Sequence, residues 1–192
     1  MDEKVTRTNL RDTASSYHMT FTDRIRARLF LRDKRIIKGN NIIVKSHVEI
    51  RLTDNALLEV GDGVILDSYC FLQLTKPQPH LTIGDYVTIG RHCVIAVKGR
   101  TSIGNFTQMG PYCQINDQSH SFSRGDLIMN QRAIIKEVLI GKDCWLGSGV
   151  RILSGVTIGD GCVIGAGSVV TKSIPPYQIW AGTPARFIHE RS

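Results

Sequence analysis

Long apolar runs are missing from this chain of 192 residues. No stretch of about eighteen apolar residues occurs, so nothing in it reads as a membrane-spanning helix. An N-terminal h-region is missing too, which leaves secretion without its usual signal and makes the cytoplasm the expected compartment. The five cysteines form no CxxC pair, and His47, His80, His92 and His120 are scattered, so neither a disulfide framework nor a metal site is expected. Aromatic residues are not interleaved with basic ones, and nucleic-acid binding is therefore not expected, although the formal net charge is +7. That charge suits a phosphorylated small molecule or a membrane surface better.

What the chain does have is a period of six. The stretch GKDCWLGSGVRILSGVTIGDGCVIGAGSVV, residues 141–170, matches neither the two-residue alternation of a half-buried strand nor the 3.6-residue repeat of a helix. Its apolar row is Ile140, Leu146, Ile152, Ile158, Ile164 and Val170, followed directly by Gly141, Gly147, Gly159 and Gly165. Four residues after each apolar one comes a small or β-branched residue: Cys144, Val150, Val156, Cys162, Ser168, Ile174. The same row continues upstream through Val44, Ile50, Val60, Leu66, Leu72, Ile83, Ile89, Ile95, Ile103, Met109 and Ile115. A unit this short cannot bury its own side chain, so successive units must stack around one continuous core. All five cysteines, Cys70, Cys93, Cys113, Cys144 and Cys162, fall at the small position and are expected to be reduced packing residues.

Function is sought where the repeat breaks, because a solenoid places its insertions on one face. Residues 74–80, LTKPQPH, form a short Pro-containing turn, and residues 97–100, VKGR, form a milder irregularity. The long break covers 117–137, and His120 stands where it leaves the repeat. Histidine is the side chain best suited to removing a proton near neutral pH. Trp145 is the one large aromatic in a stretch of small residues and is expected to point outward near a corner. Beyond the repeat, TKSIPPYQIWAGTPARFI places Arg186 behind a glycine and a proline. Ahead of it, residues 1–35 read as a cap over the open end, with a short helix starting near Thr20 or Thr22 and Ile25 and Leu29 on one face. Arg24, Arg26, Arg28 and Arg32 leave peripheral membrane contact open.

With IGKDCWLGS, GVTIGDGCVIGAGSVVTKSIPP and AGTPAR in place behind a loop histidine, the sequence resembles the hexapeptide-repeat acyltransferases. The likeness is strongest to the maltose, galactoside and xenobiotic acetyltransferases and the surface-polysaccharide O-acetyltransferases. The resemblance implies an all-β fold, a left-handed parallel β-helix of about six coils over 36–174, with a short N-terminal helical cap and one protruding loop. It implies that the tail, 175–192, completes a cofactor site, and that acetyl-CoA is bound between the subunits of a homotrimer. His120 matches the family's base. Trp145 matches a tryptophan at the acyl and pantetheine end. Many polysaccharide-type relatives carry a second histidine two residues before the base, where this chain has Gln118.

On these expectations the chemistry is acetyl transfer from acetyl-CoA to a hydroxyl of a sugar or surface-polysaccharide precursor. His120 takes the acceptor's proton, and Asn116, Asp117 or a loop carbonyl orients its ring. Tyr112, with Asn116, Asp117, His92 and Arg91, is expected at the acceptor. An amino-sugar acceptor and a non-catalytic prism are the alternatives carried forward.

Overall fold

The computed structural model describes residues 20–192. Its strands run β1 (Ile36–Lys38), β2 (Ile43–Val44), β3 (Glu49–Leu52), β4 (Leu57–Val60), β5 (Ile65–Leu66), β6 (Phe71–Leu74), β7 (His80–Ile83) and β8 (Thr88–Ile89). They continue as β9 (Val94–Val97), β10 (Arg100–Ile103), β11 (Gln108–Met109), β12 (Gln114–Asn116), β13 (Gln118–His120), β14 (Ala133–Ile135) and β15 (Val138–Ile140). Last come β16 (Trp145–Leu146), β17 (Arg151–Ile152), β18 (Thr157–Ile158), β19 (Val163–Ile164), β20 (Val169–Val170), β21 (Gln178–Gly182) and β22 (Ala185–Glu190). Successive strands never pair with each other inside the repeat; each pairs with the strand one coil away. The result is a parallel β-helix of six coils with three faces. Face A is β1-β4-β7-β10-β15-β18, face B is β2-β5-β8-β11-β16-β19 extended by β21 and β22, and face C is β3-β6-β9-β12-β17-β20.

The hexapeptide follows from this geometry. Each short strand has one residue pointing in and its neighbour pointing out, so a two-residue strand such as Trp145–Leu146 spends one side chain on each side. Of the seventeen residues in the apolar row, all but Ile50 are buried, and Ile50 is half-buried against the same core. The residues four further on close the core at the corners, and the five cysteines among them are buried and free, as expected. Burial pushes the Cys144 thiol up to about 11, so it stays neutral and inert.

The glycines that follow the apolar row do not carry the left-handed corner backbone, which sits two residues after them, at Asp143, Gly149, Gly161 and Gly167. A Cβ on Gly147 would lie 2.6 Å from the backbone nitrogen of Ala166, and one on Gly141 2.6 Å from that of Asp160. These glycines are there because backbone of the next coil lies directly on them.

The ends and breaks are ordered differently from a plain cap and loop. Helix α1 (Phe21–Phe30) starts at Thr20, whose side chain accepts from the Asp23 amide while Asp23 returns a bond to the Thr20 amide. It docks through Asp23, Ala27 and the following Leu31, and Asp23 accepts from Lys45 Nζ at 2.7 Å. Ile25 and Leu29 are exposed, while the capping aspartate takes the inner position. Residues 1–19 of that expected cap lie outside the described residues. Among the described residues no helix is long and apolar enough to cross a membrane. The tail forms an antiparallel hairpin, β21 with β22, that extends face B across the last coil.

Candidate functional site

Residues 117–137 leave the prism at the corner between faces C and A, and they form a hairpin where an open loop is expected. In it β13 pairs antiparallel with β14, with His120 opposite Ala133, and a 3-10 turn at Ile128–Asn130 closes the far end. Gln131 ties that end together, accepting from the Ser123 amide at 2.9 Å and donating to the Ser123 carbonyl at 2.9 Å. His120 is exposed at the outer end of β13, and no hydrogen bond reaches its ring among the described residues.

Asp117 sits at the hairpin's root, and its carboxylate is engaged inside the prism. It is 0% exposed. Its carboxylate accepts from the Lys98 amide at 2.9 and 3.1 Å and from the Gly99 amide at 2.7 Å. Burial pushes this carboxyl above the usual range, against the pull of those backbone donors. With its oxygens engaged by those amides, Asp117 pins the irregular 97–100 segment under the hairpin. Asn116, the last residue of β12, is half-buried beside it.

The other expected residues lie elsewhere on the prism. Trp145 projects from face B, 58% exposed, above Gln108 and below Val163. Where the chain turns from face B to face C, Ser148 is exposed above a buried Gly147, and Ala166 stands one coil further on. Arg186 lies on β22, still on face B, and donates to its own neighbour, the Ala185 carbonyl, at 2.9 Å. Thr171 and Lys172 follow β20 at the far edge of face C, the corner from which the His120 hairpin departs lower down. One chain therefore gathers Trp145, Gly147, Ser148, Ala166 and Arg186 into a band along face B and its corner. It keeps His120, Thr171 and Lys172 at another corner.

Sequence reasoning missed part of that band. A shallow cleft beside Trp145 is lined also by Phe106, Gln108, Asp143, Val163 and Arg191. The six-residue register marks Phe106 and Gln108 as outward positions one coil below Asp143 and Trp145. Arg191 has no such signal, because it arrives by the tail folding back to donate to the Asp143 carboxylate at 3.0 Å and the Gly161 carbonyl at 3.0 Å. A second cleft at the opposite end, between α1 and the first coil, is lined by Arg24, Arg28, Lys38 and Asn40 and contains none of the expected site residues. No group of three or more His, Cys, Asp or Glu side chains is gathered among the described residues.

Comparison with known proteins points to one group. Residues 137–172 match the family model of the bacterial transferase hexapeptide (six repeats). No curated protein matches the sequence. Among solved structures, a variant of AntD, an N-acyltransferase from Bacillus cereus, is similar with a TM-score of 0.75 at 21% identity, over 87% of this chain and 89% of that one. Galactoside acetyltransferase in complex with coenzyme A has a TM-score of 0.62 at 26% identity, over 97% of this chain and 80% of that one. A hexapeptide-repeat-containing acetyltransferase from Vibrio cholerae has a TM-score of 0.58 at 23% identity, over 97% and 90%. Repeat and architecture agree: the chain is a hexapeptide-repeat protein built on the fold of the hexapeptide-repeat acyltransferases.

Proposed function

We infer that this protein is an acyltransferase that moves an acetyl group from acetyl-CoA to a hydroxyl of a sugar or surface-polysaccharide precursor. The observation that carries this is the match over 137–172 to the bacterial transferase hexapeptide, because that segment holds Trp145, Gly147, Ser148, Ala166, Thr171 and Lys172. The exposed ring of His120, free of protein partners among the described residues, is available to take the acceptor's proton as its oxygen attacks the thioester carbonyl. The carbon–sulfur bond then breaks, and the same ring returns the proton to the departing sulfur. No covalent enzyme intermediate is needed, since holding both substrates together supplies much of the rate.

His120 and the Trp145 band lie at different corners of one chain, which supports a site assembled from two copies, as in the homotrimer that the resemblance implies. One copy contributes the hairpin and the next contributes the band. Lys172 and Arg186 supply positive charge for the donor's phosphates. Five buried free thiols fit a reducing compartment, the cytoplasm.

A second reading, acylation of an amino group on a nucleotide-linked sugar, draws support from AntD, described in complex with dTDP-4-amino-4,6-dideoxyglucose and coenzyme A. Thiol release from acetyl-CoA, measured against a panel of sugars, oligosaccharides and nucleotide-linked amino sugars, decides between them. His120→Ala is expected to lower kcat/KM by roughly a hundred- to ten-thousandfold on the true acceptor. Donor binding without any turnover, unchanged by His120→Ala, would leave a non-catalytic prism as the better description.

A further inference from the structure

Helix α1 is turned the opposite way from an ordinary surface helix, which buries its apolar stripe and shows its charges to water. The inner face of α1 carries Asp23 and Ala27, followed by Leu31 just past the helix end, and Asp23 is 2% exposed. Phe21, Ile25 and Leu29 stand four residues apart, on one side of the helix, and are 77, 42 and 58% exposed.

Polar bonds fix that orientation. Burying a carboxylate is unfavourable unless it is bonded, and Asp23 accepts from Lys45 at 2.7 Å, from Arg26 at 3.1 Å and from the Thr20 amide at 3.0 Å. Rolling the helix to pack its apolar stripe inward would pull Asp23 away from Lys45 and leave the stripe's place to charged residues. The stripe therefore faces outward by construction.

The surroundings of the stripe are cationic. Of the 24 basic and 17 acidic residues in the chain, eight and two fall within 20–45. Both of those acids are already engaged, Asp23 by Arg26 and Lys45 and Asp33 by Arg35. Arg28, Arg32 and Lys38 are left without a carboxylate partner among the described residues. Arg24, Arg28 and Arg32, all exposed, each follow a stripe residue by three positions, so a row of guanidinium groups runs beside the apolar row. Arg24 and Arg28 also line the cleft between α1 and the first coil, with Lys38 and Asn40 on its other side. Asp62, reaching toward that cleft from the next coil, is engaged by the amide and side chain of Asn40.

We propose that this face of α1 docks on an anionic phospholipid bilayer. Phe21, Ile25 and Leu29 enter the boundary between headgroups and acyl chains, while the guanidinium row and the cleft take the lipid phosphates. Adjacent apolar and basic rows on one short helix are what an interfacial helix needs, and the charge selects an anionic surface over a neutral one. Docking of this kind is independent of acyl transfer.

Flotation of the full chain is measured with vesicles of phosphatidylcholine alone and of phosphatidylcholine mixed with phosphatidylglycerol. The chain is expected to float with the mixed vesicles only, and less so as salt is raised. Glutamine suits a helix and both positions are exposed, so Ile25→Gln with Leu29→Gln is expected to leave Tm unchanged and to lower the partition coefficient roughly tenfold or more. Arg28→Gln with Arg32→Gln is expected to lower it roughly fivefold per charge. Because the five native thiols are buried, Leu29→Cys offers one exposed thiol for a polarity-sensitive fluorophore, whose emission is expected to shift to the blue on the mixed vesicles. No flotation with mixed vesicles, or flotation that both glutamine pairs leave unchanged, overturns the proposal. Flotation lost in the arginine pair alone, with no blue shift, reduces the contact to charge adsorption and overturns the insertion of the stripe. A lower Tm in Ile25→Gln with Leu29→Gln gives the stripe to the chain's own packing, and a lower oligomeric mass without vesicles gives it to a second copy; either result overturns membrane docking.

Discussion

Two buried polar residues on the same prism call for opposite treatment. The hydroxyl of Thr101, on the inner side of β10, is fully buried and has no hydrogen-bond partner among the described residues. An unpaired buried hydroxyl costs free energy, and valine has nearly the same shape without it. Thr101→Val is expected to raise stability by about 1–2 kcal/mol, read as a higher midpoint in urea with an unchanged slope. Asp117 is as deeply buried but satisfied, its carboxylate held by the Lys98 and Gly99 amides. Removing it strands those donors, so Asp117→Ala is expected to cost about 3 kcal/mol or more in the same titration. It should also loosen the hairpin that carries His120, visible as faster hydrogen exchange at residues 118–135. His120 and Trp145 were legible as candidates from residue type and position alone. The task of Asp117 was not, because its partners are backbone amides some twenty residues earlier, brought close only by the coil.

At the scale of single elements, α1 is held by one aspartate. Burial by itself would push the Asp23 carboxyl up, but bonds from Lys45 and from the Thr20 backbone and hydroxyl outweigh it and hold the carboxyl down at about 2. A folded-state value below the unfolded 3.8 means that the unfolded chain binds the proton more readily. The stability this group provides is therefore present above about pH 4 and lost as the pH falls toward 2. Asp23→Asn is expected to flatten the acid side of the stability profile in that window, measured by thermal melts from pH 2 to 5. The helix was readable with a start near Thr20 or Thr22, and the structure takes Thr20. Its inner face was not, since Ile25 and Leu29 look like a packing stripe and only docking against Lys45 turns Asp23 inward. The hairpin of 117–137 escaped for a similar reason: β13 and β14 are three residues each, too short to carry a periodic signal.

For the whole molecule, stability is distributed along one thin core, each coil supported by its neighbours above and below. A central truncation such as Leu146→Ala, at a side chain with no exposed surface, is expected to cost about 2–5 kcal/mol in chemical denaturation. What the sequence determined by itself is the architecture: an apolar residue every six positions has no partner except its counterpart in the next coil, so stacking, the inward row, the buried cysteines and the outward position of Trp145 all follow from spacing. Tertiary structure decided where chemistry can occur. Face membership placed His120 and Trp145 apart on one chain, and the returning tail brought Arg191 to the Trp145 cleft. Each of these depends on which residues meet across coils of unequal length, a vertical register that insertions shift and a linear repeat does not encode.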